Sequence, residues 1–166
     1  MKTKWVWVAP VAALMAAVVL TVGRTGARAA SPYPATGMHG MVASANRQAT
    51  EAGVEIMKKG GNAVDAAVAV GYALGVGDPY HSGLGGGGFM VLRLAGGEVH
   101  ALDFREMAPK AAHRDMYLKD GKVVPELSTD GALAVGVPGV VAGYDLALRR
   151  FGTMPLKAVL APANAG

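Results

Sequence analysis

The 166-residue sequence contains no cysteine. No disulfide can form, so the folded chain depends on packing even in an oxidising compartment. Aromatic residues are also scarce, at 6% of the chain, whereas glycine occurs 24 times. With few large rings to fill a core and many residues that lack a side chain, we expect helices and strands to approach one another closely.

Acidic residues are missing from the first fifty positions, and the first one is Glu51. Four basic residues, Lys2, Lys4, Arg24 and Arg28, lie in the first thirty positions, and setting these aside from the sixteen leaves twelve basic residues against twelve acidic ones. The rest of the chain is therefore formally neutral. The sequence pI of about 9.5 gives no reason to predict a nucleic-acid partner.

Complete catalytic and metal-binding patterns are absent from the sequence too. The four histidines lack metal-ligand spacing, the aspartates are dispersed, and no G-x-S-x-G nucleophile turn occurs. Asp145 falls within a predicted helix and is expected on its surface. We therefore predict no metal, no cofactor and no catalytic residue in this chain.

The first thirty residues are typical of a targeting segment. An uncharged and mostly apolar run occupies residues 5–22, and Ala27-Arg28-Ala29 provides the small-x-small pattern of a cleavage site. We predict a signal peptide at 1–29 that is cut after Ala29, an extended lead-in at 30–39, and a periplasmic or secreted protein. A retained membrane anchor is the alternative, since about 18 apolar residues just span a bilayer.

Two helices are predicted after the lead-in. Apolar residues recur at helical spacing from Ala49 onward, and Gly60 suits a left-handed cap. Asn62 is a good N-cap for a second helix, with Asp65 in its first turn and a body, up to Leu74, that has no charged face. A helix that is apolar all round is usually buried on several sides.

The remainder of the chain mixes strands and helices. Apolar runs on both sides of a glycine turn predict a strand, a turn and a return strand over 89–104. Further elements are a short helix at 112–118, a turn at 119–122, a short strand at 132–137, a helix that starts at Pro138 and a last helix near Pro155. This order predicts the α/β (α+β) class.

A glycine block precedes the first predicted strand. Residues 83–88 match G-x-G-x-x-G, and Asp103 lies twenty residues after Gly83. A dinucleotide site needs a strand before the glycines and a helix after them, whereas the predicted order is helix, loop, strand. The structural alternative is that the glycines permit positive φ and close backbone approach. A third reading is that the loop leaves room for a substrate or for another chain segment.

Arg105 stands in the charged run Asp103-Phe104-Arg105-Glu106 at the end of the second predicted strand. An arginine between two acids is either a paired, half-buried charge or a planar guanidinium that holds a carboxylate through two parallel hydrogen bonds. The chemistry alone favours neither reading. The position of Arg105 beside a glycine-rich loop suits the binding of a small acidic ligand.

Five motifs occur in the order in which γ-glutamyltransferases carry them, and the chain resembles that family from about residue 40 to residue 160. The motifs are residues 40–44, 60–69, 85–89, 103–109 and 138–143. The resemblance implies an N-terminal nucleophile hydrolase with a layered αββα fold, incomplete here, of which residues 40–166 form a truncated N-terminal portion of the large subunit.

The resemblance also implies a mechanism and a site residue. Family precursors cut themselves into a large and a small subunit, and the new N-terminal Thr of the small subunit attacks the γ-glutamyl amide. Arg105 matches the family arginine that holds the α-carboxylate of the γ-glutamyl group. The nucleophile region is expected beyond residue 166. The four threonines outside the leader do not sit in its context: Thr36, Thr50, Thr129 and Thr153.

The implied activity is hydrolysis or transfer of the γ-glutamyl group of glutathione and related amides. Water, amino acids or peptides are the implied acceptors, and the small subunit is the implied partner. The chain alone is expected to be inactive. Two alternatives stay open: a non-catalytic exported protein that binds a γ-glutamyl or amino-acid ligand through Arg105, and an unrelated acylase of the same fold.

Overall fold

The computed structural model describes residues 35–164, so the predicted leader and its cleavage site lie outside the described residues. The chain divides into a unit Met1–Thr36 and a unit Gly37–Gly166, and the helices and strands of the described residues lie in the second. Within the described residues, its main elements are α1 (Arg47–Lys58), α2 (Ala63–Gly77), β1 (Phe89–Arg93), β2 (Val99–Asp103), β3 (Leu118–Lys119), β4 (Lys122–Val123), α3 (Val140–Phe151) and α4 (Leu156–Leu160). Short 3₁₀ helices cover Pro125–Ser128, Ala132–Ala134 and Pro162–Asn164.

Helix α1 confirms the first predicted helix and packs tightly on α2. The side chain of Asn46 caps it by accepting a hydrogen bond from the amide of Ala49 at 3.1 Å. Ile56 is fully buried, which contributes about 1.5–3 kcal/mol to the free energy of unfolding. Gly53 has no room for a side chain, because a Cβ there would lie 2.6 Å from the Val70 side chain. The expected close approach of elements holds at this crossing.

Helix α2 begins where the sequence predicts. The Asn62 side chain accepts from the amides of Val64 and Asp65, and Asp65 accepts from the Asn62 amide, which forms a capping box. The helix continues to Gly77, three residues beyond the predicted end at Leu74. Only its first half is buried on several sides, since the burial of its residues falls after Ala69.

Strands β1 and β2 form the predicted antiparallel hairpin, with Val91 opposite Ala101. Gly97 takes a positive φ of 91° in the connecting turn. Leu92 and Leu102 lie on one face and join the core with α2 and α3. The opposite face, which carries Phe89, Val91 and Val99, is exposed to solvent.

Two predicted elements are wrong. Residues 112–118 form successive turns rather than a helix, and Leu118 already belongs to strand β3, which pairs with β4 around Asp120 and Gly121. Residues 132–137 are not a strand, because the Ala134 amide bonds to Gly131 O at 3.2 Å and only Val137 forms a bridge, with Met107. Local turn hydrogen bonds prevailed in both places over β- and α-propensity.

The mixed class of helix and strand is confirmed. Helices pack on one face of the β1–β2 hairpin, and the other sheet of the described residues is the two-stranded β3–β4 sheet. In the same stretch, no helix is long and apolar enough to cross a membrane.

Candidate functional site

The end of the glycine loop lies against the charged run that follows β2. The amide of Gly88 donates to Phe104 O at 3.3 Å, and the amide of Phe104 donates to Gly88 O at 3.0 Å. A Cβ on Gly87 would lie 2.5 Å from Glu106 N and 2.7 Å from Phe104 O. Glycine is needed here for close approach, as predicted. The positive φ predicted as an option is wrong, because no residue from Gly83 to Gly88 has one.

The start of helix α3 holds this arrangement from the other side. The amides of Gly139 and Val140 both donate to Gly86 O, at 2.9 and 3.2 Å. A Cβ on Gly139 would lie 2.0 Å from Phe104 O, closer than any real carbon contact. Helix α3 begins at Val140 rather than at the predicted Pro138, with Gly139 as its N-cap, and the free amides at its start bond to the loop. The glycine loop, the residues that follow strand β2 and the start of helix α3 therefore form one fixed unit.

Arg105 projects from this unit. Its amide donates to Asp103 Oδ1 at 3.0 Å, and its Nη1 donates to Glu106 Oε2 at 2.6 Å. The side chain is 62% exposed, whereas that of Glu106 is 28% exposed. The guanidinium is therefore anchored at one nitrogen, with most of its surface open to solvent. The arginine is paired with Glu106, as the first reading has it, but it is exposed rather than half-buried. That it holds a carboxylate stays a prediction.

Arg105 and Glu106 line a cavity of about 300 Å³ together with the glycine loop. This volume is at the lower end of the range that ligand-binding pockets have. The other lining residues come from α2, from the turn that follows it and from α3: Gly71, Leu74, His81, Ser82, Gly83, Gly86, Gly87, Val140 and Tyr144. The glycine block thus does two things: it permits close packing and it forms a wall of this cavity.

An aromatic cluster lies beneath the cavity. The ring of Tyr144 contacts those of Tyr72 and Phe104 edge-on, with centroids 5.3 and 5.8 Å away. Burial raises the pKa of the Tyr144 phenol, and nearby Tyr72 adds to the rise. Burial likewise raises the pKa of Tyr72, with a further contribution from Asp145. Both phenols are neutral hydrogen-bond donors near pH 7. Tyr144 was not among the site residues predicted from the sequence.

Asp65 is a buried charge whose partners the sequence did not reveal. It is fully buried and accepts hydrogen bonds from the amides of Asn62, Thr153 and Met154 and from the Thr153 hydroxyl, the last at 2.6 Å. Burial alone would raise the pKa of this carboxyl, but the hydrogen bonds outweigh it and the pKa is lowered. Asp65 therefore ties the start of α2 to the α3–α4 connection. An acid in an otherwise apolar helix was the sequence clue to such partners.

The remaining candidates are dispersed in the structure as well. His81 Nδ1 lies 2.9 Å from Asp78 Oδ1 at the cavity rim. Asp145 pairs with Arg149 at 2.6 Å on the helix surface, in line with its expected surface position. His100 Nε2 has no hydrogen-bond partner among residues 35–164, and Glu98 Oε2, at 3.5 Å, is beyond ordinary hydrogen-bond length. No group of three or more His, Asp or Glu that could hold a metal occurs in the described part of the chain.

Three of the four threonines outside the leader have structural partners. Thr50 Oγ1 donates to Asn46 O at 3.1 Å, and Thr153 Oγ1 donates to Asp65. Thr129 Oγ1 donates to Glu126 O at 3.3 Å. None of these three lines the Arg105 cavity.

Comparison with known proteins places this geometry in context. The family model described as "Gamma-glutamyltranspeptidase" matches residues 49–165. The chain is 55% identical over 132 residues to the glutathione hydrolase proenzyme of Escherichia coli (strain K12), covering 79% of this chain and 23% of that protein. It is 49% identical over 148 residues to the glutathione hydrolase proenzyme of Pseudomonas sp. (strain A14), covering 89% and 26%.

Solved structures agree. The crystal structure of Helicobacter pylori gamma-glutamyltranspeptidase matches with a TM-score of 0.75 and 48% sequence identity, over 79% of this chain and 38% of that chain. The chain spans about a quarter of the length of the two curated relatives.

Proposed function

Because the chain belongs to the gamma-glutamyltranspeptidase family, we propose that the protein carrying it hydrolyses or transfers γ-glutamyl groups. Its substrates are glutathione and related γ-glutamyl amides. The family predicted from the five motifs is confirmed by the match over residues 49–165. The relatives' enzyme names support the reaction class. The cavity beside the glycine loop is the proposed binding site of the substrate.

The observation that carries the proposal is the position of Arg105. Its guanidinium stands at a cavity of about 300 Å³, and Glu106 occupies only one of its edges. A guanidinium offers five donors in a planar fork, so an edge remains for the α-carboxylate of a γ-glutamyl ligand. Charge-assisted bonds of this kind are roughly twice as strong as neutral ones. Arg105 thus holds the acid end of the substrate and presents the amide end to the reacting group.

The attacking group is supplied by another segment. In the proposed reaction the hydroxyl of an N-terminal Thr, on a small subunit, attacks the γ-carbonyl carbon while its own α-amine takes the proton. The tetrahedral intermediate expels the leaving amine, which receives that proton, and leaves a γ-glutamyl ester on the Thr. Water or the amine of an acceptor amino acid or peptide then opens the ester. Anchoring the carboxylate holds the γ-carbonyl in place through both steps.

Two further elements of the proposal concern location and partner. The leader supports export to the periplasm or the exterior, with cleavage after Ala29. The exposed apolar face of the β1–β2 hairpin and the small share of the relatives' length that the chain spans support a second polypeptide segment as the partner. No nucleic-acid partner is proposed, because the chain after the leader is formally neutral.

Turnover of a chromogenic γ-glutamyl anilide tests the proposal. The 166-residue chain should show none, whereas a hybrid in which residues 49–165 replace the matching segment of the E. coli glutathione hydrolase proenzyme should release the anilide. This protein is called the hybrid below. Turnover by the chain alone would contradict the claim that its nucleophile lies elsewhere. A folded but inactive hybrid would contradict the claim that this segment serves the reaction.

The non-catalytic alternative predicts a different result. Arg105 and its cavity lie wholly within the described residues, so the chain has the parts of a binding site without a complete nucleophile set. If the chain binds L-glutamate in calorimetric titration and the hybrid is inactive, the protein is a binder rather than an enzyme.

A further inference from the structure

We propose that the Tyr144 hydroxyl is a second donor to the carboxylate held by Arg105, which makes Tyr144 a specificity-determining residue of the cavity. The inference rests on the proposed function, since it concerns the same ligand. It assigns a role to a side chain that the family motifs leave out. With this second donor, the cavity selects ligands that carry a carboxylate over ligands that carry a neutral amide at the same position.

The position of the hydroxyl supports this role. Tyr144 lines the cavity that Arg105 and Glu106 also line. Its hydroxyl lies against Gly71, where a Cβ would be 2.3 Å from the phenol oxygen, and Gly71 lines the cavity too. Because Gly71 has no side chain, the Tyr144 hydroxyl has room to lie at the wall of the cavity. The neighbouring Tyr72, although in ring contact with Tyr144, does not line the cavity.

The hydroxyl is available to a ligand. Among residues 35–164, no hydrogen bond involves the Tyr144 hydroxyl, whereas Tyr117 donates to Leu133 O. A buried phenol normally finds a partner, so a half-buried one at a cavity wall is a group to which a ligand oxygen can bond.

The ionisation state fits a donor. Burial, with Tyr72 close by, raises the pKa of Tyr144. The phenol therefore keeps its proton near neutral pH, where a ligand carboxylate is ionised. A neutral donor beside a guanidinium adds a directed bond to the acid group without adding charge. An α-amide ligand, which is neutral, gains less from the same pair of donors.

Substitution of two neighbouring tyrosines tests the role. Tyr144→Phe removes only the hydroxyl, and Tyr72→Phe is the matched control from the same aromatic cluster. Calorimetric titration of the chain with L-glutamate should give about ten-fold weaker binding for Tyr144→Phe, the usual loss for one bond to a charged group. Tyr72→Phe should bind within two-fold of the unsubstituted chain.

The hybrid provides a second measurement that does not depend on the stability of the chain alone. Tyr144→Phe should raise KM for the γ-glutamyl anilide about ten-fold with little change in kcat. It should also reduce the preference of the site for L-glutamate over its α-amide, measured as the ratio of the two inhibition constants. A residue with only a packing role would leave that ratio unchanged.

Each outcome decides between the two proposals. If Arg105→Ala weakens binding and Tyr144→Phe behaves like Tyr72→Phe, the role of Tyr144 is overturned and the proposed function stands. If Tyr144→Phe lowers kcat alone, or leaves the glutamate-to-amide ratio unchanged, its role is also overturned. If L-glutamate does not bind to the chain and does not inhibit the hybrid, the carboxylate site itself is wrong, and the role of Tyr144 falls with it.

Discussion

Replacing Gly139 with alanine should displace the segment that carries Arg105. A Cβ at this position would stand 2.0 Å from Phe104 O and 2.8 Å from Phe104 C. Both neighbours are backbone atoms, so no rotamer change can relieve the contact. The Gly139 amide is in turn bonded to Gly86 O at 2.9 Å, which prevents the helix from simply moving away.

The size of the displacement follows from these distances. Real Cβ contacts are not shorter than 3.0 Å, so the strand exit or the helix start must shift by about 1 Å. Arg105 follows Phe104 directly, and its guanidinium would move with it. A misplacement of about 1 Å in a binding constellation costs roughly 100-fold in rate. We therefore expect kcat/KM of the hybrid for the γ-glutamyl anilide to fall about 100-fold on Gly139→Ala.

Gly83→Ala is the matched control. Gly83 lies in the same cavity wall, has no heavy atom within 4 Å of its ideal Cβ, and is not among the residues with positive φ. Its substitution should leave kcat/KM within two-fold. Full activity in Gly139→Ala, or equal losses in the two variants, would refute the argument that backbone contact at Gly139 positions Arg105.

Three other predictions follow from the same contacts and from the leader. Asp65→Ala should leave the amides of Thr153 and Met154 without their acceptor, and their hydrogen exchange should speed up at least about 30-fold, since an unpaired buried donor costs about 2 kcal/mol. Unchanged exchange would show that the carboxylate does not hold this connection. The pKa of Asp65 in the folded chain is lowered from 3.8. Its contribution to the free energy of unfolding is therefore complete above about pH 3.8 and is lost as the pH falls through the folded-state pKa. The difference in hydrogen exchange between the substituted and the unsubstituted chain should accordingly shrink only below about pH 3.8. Gly71→Ala should push the Tyr144 ring aside and raise KM as Tyr144→Phe does; an unchanged KM would argue against the position of the hydroxyl. The exported protein should begin at Ala30 by N-terminal sequencing, and an intact leader would favour the membrane-anchor alternative.

The helices and the main hairpin were predictable because local rules decide them. Asn62 with Asp65 specifies a helix start in any context, and Gly60 has the positive φ of 92° that its place after α1 requires. The apolar runs on both sides of the glycine turn likewise predict β1 and β2 from local sequence alone.

The elements between residues 107 and 137 were not predictable in the same way. Their backbone bonds are short-range turns, and the bridge of Met107 to Val137 joins residues thirty positions apart. No periodicity in the sequence specifies such a contact, so a helix at 112–118 and a strand at 132–137 were predicted where neither exists.

The site was predictable only in part. Chemistry and resemblance together singled out Arg105, and the structure places it at a cavity beside the glycine loop. Its role as carboxylate anchor stays a prediction. Gly139 lay within a family motif but received no role, and Tyr144 was not singled out. The importance of both depends on what α3 faces, namely Gly71 and Phe104, which are distant in sequence. Asp65 was read as a helix-cap acid, since its bonds to residues 153 and 154 arise only in the folded chain.

The most direct test of the account is the KM of the hybrid for a γ-glutamyl anilide after substitution of Arg105. Arg105→Ala should raise KM at least about ten-fold, because the substrate carboxylate loses a charged partner. Arg93→Ala, which removes an exposed arginine from β1 of the same hairpin, should leave KM unchanged. An unaltered KM in Arg105→Ala would contradict the claim that this guanidinium holds the acid end of the substrate.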